Sequence, residues 1–356
     1  MSQSAALAHL HALGPRGACL QASAPGRVNL IGEHTDYSGG YVLPLALTQR
    51  TYVALALNQG AEGRLYANSR EQGAAEASLE APATGSWTDY LVGAVQQLRA
   101  LGGKVRSLHI GLASDVPLGA GVSSSAALEV ATLRALRQAC QVQISDVALA
   151  YAAQRIENAY LGLKTGIMDP MAASLGTAGA PLLFDTHSGH TETLPLFSRA
   201  VFLTFHSGVS RRLVDGAYNQ RRAATDAALK ALGVPRLVGL SAKQIESLTR
   251  AIRPRVRHVV TENARVLAAV EALRADDPVE FGALMQAAHA SMRDDFAASH
   301  EQVDAQVKAA LAAGALGARI TGAGFGGCFV VLAWAQTAAQ IRTALLRQFP
   351  TARHLG

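Results

Sequence analysis

The sequence predicts a mixed α+β protein of two domains, and three observations lead there. Apolar residues alternate along the chain between short runs of strand period and longer runs of helical period. The 356 residues, 49% of them hydrophobic, suffice for two ordinary cores of roughly 150 to 200 residues each. A glycine-rich break at 175–180 is followed by a strand-like run at 181–184. It divides a first domain, 1–180, from a second, 181–356.

In chain order, the first expected strand is 52–57, a run of Tyr, Val and Leu with Ala between polar ends. A helix follows at 87–100, then a strand at 107–112 centred on Ile110. Two long amphipathic runs at 124–140 and 144–160 read as helices. Past the break, 201–205 is rich in Val, Phe and Thr and reads as a strand. Helices are expected at 256–273 and 278–294, a buried strand at 328–333, and a last helix at 337–349. Neither an internal repeat nor a low-complexity linker interrupts this order.

Composition excludes several function classes. Lys and Arg number 32 against 26 Asp and Glu, a net charge of +6. The basic concentrations are Arg211–Arg212, Arg221–Arg222 and the trio Arg253, Arg255 and Arg257. None is interleaved with aromatics, so they read as solvated helix faces and not as a nucleic-acid platform. A mild positive field does favour an anionic ligand such as a nucleotide. Cys19, Cys140 and Cys328 are distant and odd in number, which gives neither a disulfide framework nor a cysteine-rich metal site. Residues 1–14 lack the charged start and apolar core of a signal peptide, and no run approaches 18 apolar residues. A soluble cytoplasmic protein without membrane contact is expected.

Three glycine-rich segments carry the chemistry. The first, 24–44, packs Arg27, Glu33, His34 and Asp36 closely. A buried strand would have to partner every one of those charges, so a polar site is the natural alternative. Glu33, His34 and Asp36 suit sugar hydroxyls, and Arg27 suits a phosphate or carboxylate. The run Asp36–Gly40 is equally good turn chemistry, and on these residues alone site and salt-bridged turn stand even. The second segment, 115–130, follows a strand and enters a helix through Gly119, Gly121 and the serines 123–125. Glycines let the backbone approach an anion, serines can cap the helix or offer hydroxyls, and the helix dipole points at the same place. No Gly-Lys-Ser/Thr ending is present, so a P-loop is disfavoured. The third, 321–328, has the spacing G-x-G-x-x-G but continues into a strand, so it is not a dinucleotide fingerprint. A glycine turn against another loop or a ligand fits better. Between these, Glu157 sits late on a helix, and Asp169 follows a glycine turn and precedes Pro170. Kinase chemistry has uses for two such carboxylates, one on the metal and one near the attacking hydroxyl.

Taken in order, these segments resemble the galactokinases, a branch of the GHMP small-molecule kinases, from Ala24 to about Leu332. Residues 26–37 look like the galactokinase signature, 117–127 like the ATP loop, and 321–328 like the third motif. The resemblance implies an N-terminal mixed sheet with helices, a C-terminal ferredoxin-like α/β layer, and an active site in the cleft between them. Position by position, it implies that Asp169 contacts the anomeric hydroxyl with Arg27 beside it. Glu33, His34, Asp36, Gly166 and Tyr218 match sugar-binding positions. Ser125 and Glu157 match the Mg²⁺-coordinating pair, and Gly119, Gly121, Ser123 and Ser124 the phosphate loop. Trp87 and Tyr90, three apart and expected on one helix face, match the adenine-pocket aromatics. The 208–222 stretch, including Arg211 and Arg212, also reads like the family. The sequence departs from the pattern at Ser38, Val122 and Pro170, where Asn, Leu and Gln are usual.

The implied reaction is transfer of the γ-phosphoryl group of Mg·ATP to the C1 hydroxyl of galactose by a monomer. Three rivals use the same residues. An N-acetylgalactosamine or arabinose kinase would share the ATP machinery, but Thr35 and the compact chain favour galactose. A non-catalytic galactose sensor should show damage in 123–127, which is intact. A nucleic-acid-binding protein would need a reading module, and none is recognisable.

Overall fold

The structure, a computed structural model, describes residues 2–15, 19–58, 63–210 and 215–356. Arg211 and Arg212 therefore lie outside the described residues. In chain order the elements begin α1 (Gln3–Ala12), β1 (Leu20–Asn29), β2 (Tyr41–Val42), β3 (Pro44–Asn58), β4 (Arg64–Ser69) and β5 (Gly73–Ser78). They continue α2 (Asp89–Ala100), β6 (Ser107–Ser114), α3 (Ser124–Ala139), α4 (Asp146–Arg155), a π-helical turn (Ile156–Tyr160) and α5 (Met168–Leu175). Next come β7 (Leu182–Asp185), β8 (Thr191–Thr193), β9 (Ala200–His206), α6 (Asp215–Leu232), α7 (Ala242–Glu246) and α8 (Arg253–Arg274). The chain ends with α9 (Pro278–Asp294), α10 (Glu301–Ala312), β10 (Gly317–Ile320), β11 (Cys328–Trp334), α11 (Ala335–Gln348) and β12 (Arg353–His354).

Two compact units emerge, and neither is continuous in sequence. The first comprises 1–27, 47–117 and 123–176; the second comprises 28–46, 118–122 and 177–356. The first unit is built on a five-stranded mixed sheet in the order β1-β3-β6-β4-β5, with β3 antiparallel and β4 parallel to β6. Strand periodicity divides its side chains between two cores. Val53, Leu55, Leu108 and Ile110 join the main core with α2 and α3, whereas Ala54 and Ala113 face α1 and pack on Ala6 and Leu10. The second unit holds a four-stranded antiparallel sheet, β10-β11-β9-β12, and a three-stranded sheet, β2-β7-β8. Phe205 lies opposite Phe329 in register, their rings stacked 5.1 Å apart, beneath Val256, Val259, Val307 and Ile341 from the helices. Among the described residues no helix is long and apolar enough to cross a membrane.

The expected strands fall within β3, β6, β9 and β11, and the expected helices within or across α2, α3, α4 with its π turn, α8, α9 and α11. One local expectation is corrected. Trp87 and Tyr90 do not share a helix face, because α2 starts at Asp89 and Trp87 lies in the turn before it. The Asp89 carboxylate accepts the N–H groups of Thr84, Gly85 and Ser86 at 2.7, 2.7 and 3.1 Å, holding that segment as a turn. Asp169 is expected to follow a glycine turn and precede Pro170. It occupies the first turn of α5, where Pro170 is tolerated because helix N–H groups have no intrahelical acceptor there.

Candidate active site

In the first unit the chemistry gathers around Asp169. Arg27, on β1 and only 3% exposed, donates from Nε to Oδ1 at 2.7 Å and from Nη2 to Oδ2 at 2.5 Å. This bidentate fork fixes the plane of the carboxylate. Ser123 Oγ donates to Oδ2 at 2.5 Å. The Asp169 side chain keeps 32% of its surface exposed, so the carboxylate remains within reach of a ligand. Gly166 is buried just ahead of α5. The loop carrying it is tied back at Thr165, whose N–H donates to Asn158 Oδ1 at 2.8 Å and whose carbonyl accepts from Asn158 Nδ2 at 3.2 Å.

The serine loop differs from a simple capped helix start. Ser123 stands at the N-cap of α3 in the left-handed region, φ 61 and ψ 49, and makes no side-chain cap bond. That conformation costs a non-glycine residue about 1 to 2 kcal/mol. Its hydroxyl is spent on Asp169, and the positive end of the α3 dipole is left for an anion. Gly119 and Gly121 both have positive φ, and the loop is pinned at Ala120, whose carbonyl accepts from Cys328 Sγ at 3.0 Å. Ser124 is half-buried beside Ser125.

One position further, Ser125 Oγ donates to Glu157 Oε1 at 2.9 Å. Glu157 is buried in the π turn, a distortion that recurs at functional sites. Burial pushes its carboxyl up, hydrogen bonds from Thr165 and Ser125 pull it back, and Asp169 adds to the rise. The π turn is seated on α2 at Gly93, where a Cβ would come within 2.6 Å of Ile156 Cγ2. Ser125 and Glu157 together are two hard oxygen donors beside a helix N-terminus. Among the described residues no group of three or more His, Cys, Asp and Glu could hold a metal. A pair of this kind suits Mg²⁺, which takes one or two protein oxygens and draws its other ligands from water and phosphate. Tyr90, half-buried nearby, has its hydroxyl pushed up by burial and by Glu157 and Glu129; Trp87 packs half-buried against the first core.

The sugar-type residues belong to the second unit. Glu33 is 1% exposed and its carboxylate is engaged by the fold. Oε1 accepts from Gly322 N at 3.1 Å and Thr321 Oγ1 at 3.2 Å, and Oε2 pairs with Arg319. His34, at φ 61, is 5% exposed. Its Nε2 lies 3.1 Å from Ala323 O and its Nδ1 2.7 Å from Tyr37 Oη. A carbonyl only accepts, so Nε2 carries the hydrogen and Tyr37 donates to Nδ1. Asp36 and Tyr218 are half-buried, and the Tyr218 ring lies 5.6 Å from His34 and 6.0 Å from Tyr37. The 321–328 turn thus joins antiparallel β10 and β11 and also supports Glu33 and His34.

Sequence reasoning missed the residues behind these motifs. Glu129, one turn along α3 from Ser125, is fully buried, and among the described residues neither oxygen has a partner. His258, Glu262 and Asn263 on α8 and Arg319 on β10 hold the main chain of the 30–41 segment. Arg319 did leave a signal, a lone charge between Ala318 and Ile320 in a buried run. Glu262 left none, since a Glu on a helix is usually a surface residue.

Three family models match the chain. The galactokinase galactose-binding signature covers 13–57, the GHMP kinase N-terminal domain 89–177, and the GHMP kinase C-terminal domain 269–351. Among solved structures the chain is similar to Lactococcus lactis galactokinase complexed with galactose. The two are 28% identical over 99% of this chain and 96% of that one, with a TM-score of 0.92. It is also similar to Methanococcus jannaschii mevalonate kinase, 17% identical over 96% and 98% of the two chains, TM-score 0.72. A third match is L. major mevalonate kinase in complex with R-mevalonate, 22% identical over 96% and 95%, TM-score 0.67. The mevalonate kinases share the fold.

Proposed function

Since the chain belongs to the galactokinases of the GHMP kinase superfamily, we propose that it transfers the γ-phosphoryl group of ATP to the anomeric hydroxyl of galactose. The products are galactose 1-phosphate and ADP. The observation that carries the reading is the bidentate Arg27–Asp169 pair, with Ser123 on the same carboxylate and the Ser125–Glu157 pair two residues along. An aimed carboxylate, a buried guanidinium and an oxygen pair at a helix N-terminus are what in-line phosphoryl transfer needs from a protein.

In this reading Asp169 receives the C1 hydroxyl as a hydrogen-bond donor, and accepts its proton or holds it in line for transfer. Arg27 and the N-terminus of α3 stabilise negative charge on the transferring group. Ser125 and Glu157 would hold Mg²⁺, which when bound neutralises charge on the β- and γ-phosphates. Gly119, Gly121, Ser123 and Ser124 form the phosphate loop, and Trp87 and Tyr90 flank the adenine. Asp36 and Tyr218 bind sugar hydroxyls, and Glu33, His34 and Gly166 are assigned to the same sugar. We further propose a cytoplasmic monomer whose partners are these small molecules.

The test is ADP release with a panel of free sugars at saturating Mg·ATP. Galactose should be the preferred acceptor, with phosphate on C1 by NMR. Failure to phosphorylate galactose while another sugar is used would overturn the substrate, and failure with every sugar would overturn the reaction.

A further inference from the structure

The sugar motif is held from behind by buried charges that the transfer chemistry does not use. Arg319, fully buried on β10, donates to Leu30 O at 3.0 Å, to Glu262 Oε1 at 3.2 Å, and to the Glu33 carboxylate. Glu262, fully buried on α8, accepts the Gly32 N–H at 2.9 Å through Oε1 and Arg265 Nε at 2.7 Å through Oε2. One helical turn earlier, His258 Nε2 lies 3.1 Å from the carbonyl of Glu33, and Nδ1 lies 2.9 Å from Ser291 Oγ. The carbonyl can only accept, so His258 donates through Nε2 and Ser291 donates to Nδ1. Asn263 Oδ1 accepts the Tyr41 N–H at 2.7 Å. Gly32 has φ +101, and a Cβ there would meet Tyr41 O at 2.7 Å and Val266 Cγ2 at 2.9 Å. The loop can lie this close to α8 only as glycine. Its main chain is therefore bolted at Leu30, Gly32, Glu33 and Tyr41.

A buried ion network of this size is commonly no more stabilising than apolar packing of equal volume. Stability alone is thus not a sufficient reason for it. We propose that Glu262 and Arg319 are positioning residues for the sugar: they fix the main chain at Gly32 and Glu33, hold the Glu33 carboxylate, and thereby set galactose affinity. The proposal rests on the sugar-binding reading of the 33–36 cluster.

Charge supports the geometry. Burial pushes the Glu33 carboxyl up to about 7 against the Arg319 guanidinium, and Glu262 adds to the rise. Burial opposes the charge on Glu262 too, but Arg319 and Arg265 hold it at about 2. His258, and His289 behind Arg319, are each lowered by burial to about 4. Among Glu262, His258, His289 and Glu33, it is Glu33 that titrates near neutrality. Its protonation below that range weakens its pairing with Arg319, so the galactose KM should rise as pH falls through about 7.

The experiment is steady-state kinetics on full-length wild type, Glu262→Gln and Ser291→Ala, with galactose and ATP varied separately from pH 6 to 8.5. Glu262→Gln removes a negative charge beside Glu33 and weakens the Gly32 anchor. The galactose KM should rise about tenfold, since one charge-assisted buried hydrogen bond is weakened. The ATP KM should not move, and the acid rise of the galactose KM should begin at lower pH than in wild type. Ser291→Ala frees the His258 tautomer and should give a smaller rise in the galactose KM alone; it keeps the test open should Glu262→Gln not fold. Galactose and ATP KM values rising together, or a galactose KM and pH profile unchanged in both variants, would overturn the inference. A wild type that does not use galactose would instead overturn the function on which it rests.

Discussion

Glu129 lies in the first unit with no exposed surface and, among the described residues, no hydrogen-bond partner on either oxygen. Burial pushes its carboxyl well above the ordinary value of 4.5, and Glu157 and Asp169 add to the rise. The unfolded chain releases this proton near 4.5, whereas the fold retains it to higher pH. Between those points the unfolded state binds fewer protons than the native state, so stability falls as pH rises. The loss is about 1.4 kcal/mol per pH unit for as long as the folded protein keeps the proton. Glu129→Gln preserves the shape and cannot ionise. Its stability relative to wild type should be near zero at pH 4 to 4.5 and should then climb with that slope. Glu129→Met also removes the unpartnered polar atoms, which adds about 1 to 3 kcal/mol at every pH.

The assay is thermal unfolding without nucleotide or metal, for all three proteins, at half-unit steps from pH 4.5 to 7.5. For a unit of this size 1 kcal/mol moves Tm by about 2 to 4 °C, so the Gln variant should gain roughly 3 to 5 °C over wild type per pH unit. A Gln-minus-wild-type difference that stays flat with pH would show that the Glu129 carboxyl ionises inside the fold with a partner. That result would refute the reasoning.

The other predictions concern the chemistry. Asp169→Asn should lower kcat by about 10²- to 10⁴-fold, the usual worth of a positioned acid–base group, while galactose and ATP still bind by calorimetry; near wild-type kcat would remove Asp169 from the mechanism. Glu157→Gln and Ser125→Ala should each shift the Mg²⁺ requirement upward at saturating ATP before galactose affinity changes, and superimposable Mg²⁺ titrations would refute the metal assignment. Asp36→Ala should raise the galactose KM more than the ATP KM. On the wild type, glucose should be poorer than galactose by orders of magnitude and N-acetylgalactosamine should be excluded, because a site that hydrogen-bonds a particular hydroxyl rejects analogues that leave its groups unpaired. Comparable kcat/KM for either sugar would remove galactose and leave the sugar kinase.

Local patterns in the sequence were legible because the physics behind them is local. Short apolar runs rich in β-branched and aromatic residues between polar or glycine boundaries placed β3, β6, β9 and β11, since such residues suit a pleated sheet. The glycines and serines of 119–125 announced a tight loop ahead of a helix because such residues let a backbone turn closely there. Where the reading missed, a tertiary contact had decided the outcome. Ser123 reads as a helix cap, yet its hydroxyl goes to Asp169, 46 residues away. The helix is expected to begin at Trp87, yet the Asp89 carboxylate gathers three backbone N–H groups and starts α2 after Trp87. Arg27 was expected at a polar site and not on a strand, but it sits on β1, because its partner across 142 residues offsets the lost hydration.

The same distinction separates the residues proposed to meet substrate from those that aim them. Glu33, His34 and Asp36 come within four positions of one another, whereas the anchors of their loop lie 230 residues away at Glu262 and 289 at Arg319. A loop this polar cannot fix itself: its hydroxyl, imidazole and carboxylate groups would be satisfied as well by water in many arrangements. One arrangement becomes fixed only when its backbone N–H and C=O groups are taken by side chains that are themselves immobile. Glu262 and Arg319 meet that condition by being buried and cross-paired. Asn263 meets it by donating to Leu237 O and Val259 O while it accepts from Tyr41. If the 33–36 cluster meets the sugar as proposed, its aim rests on charges that no short motif in 24–44 could reveal, and a loss of galactose affinity is expected from substitutions on α8 and β10 as well as in the motif itself.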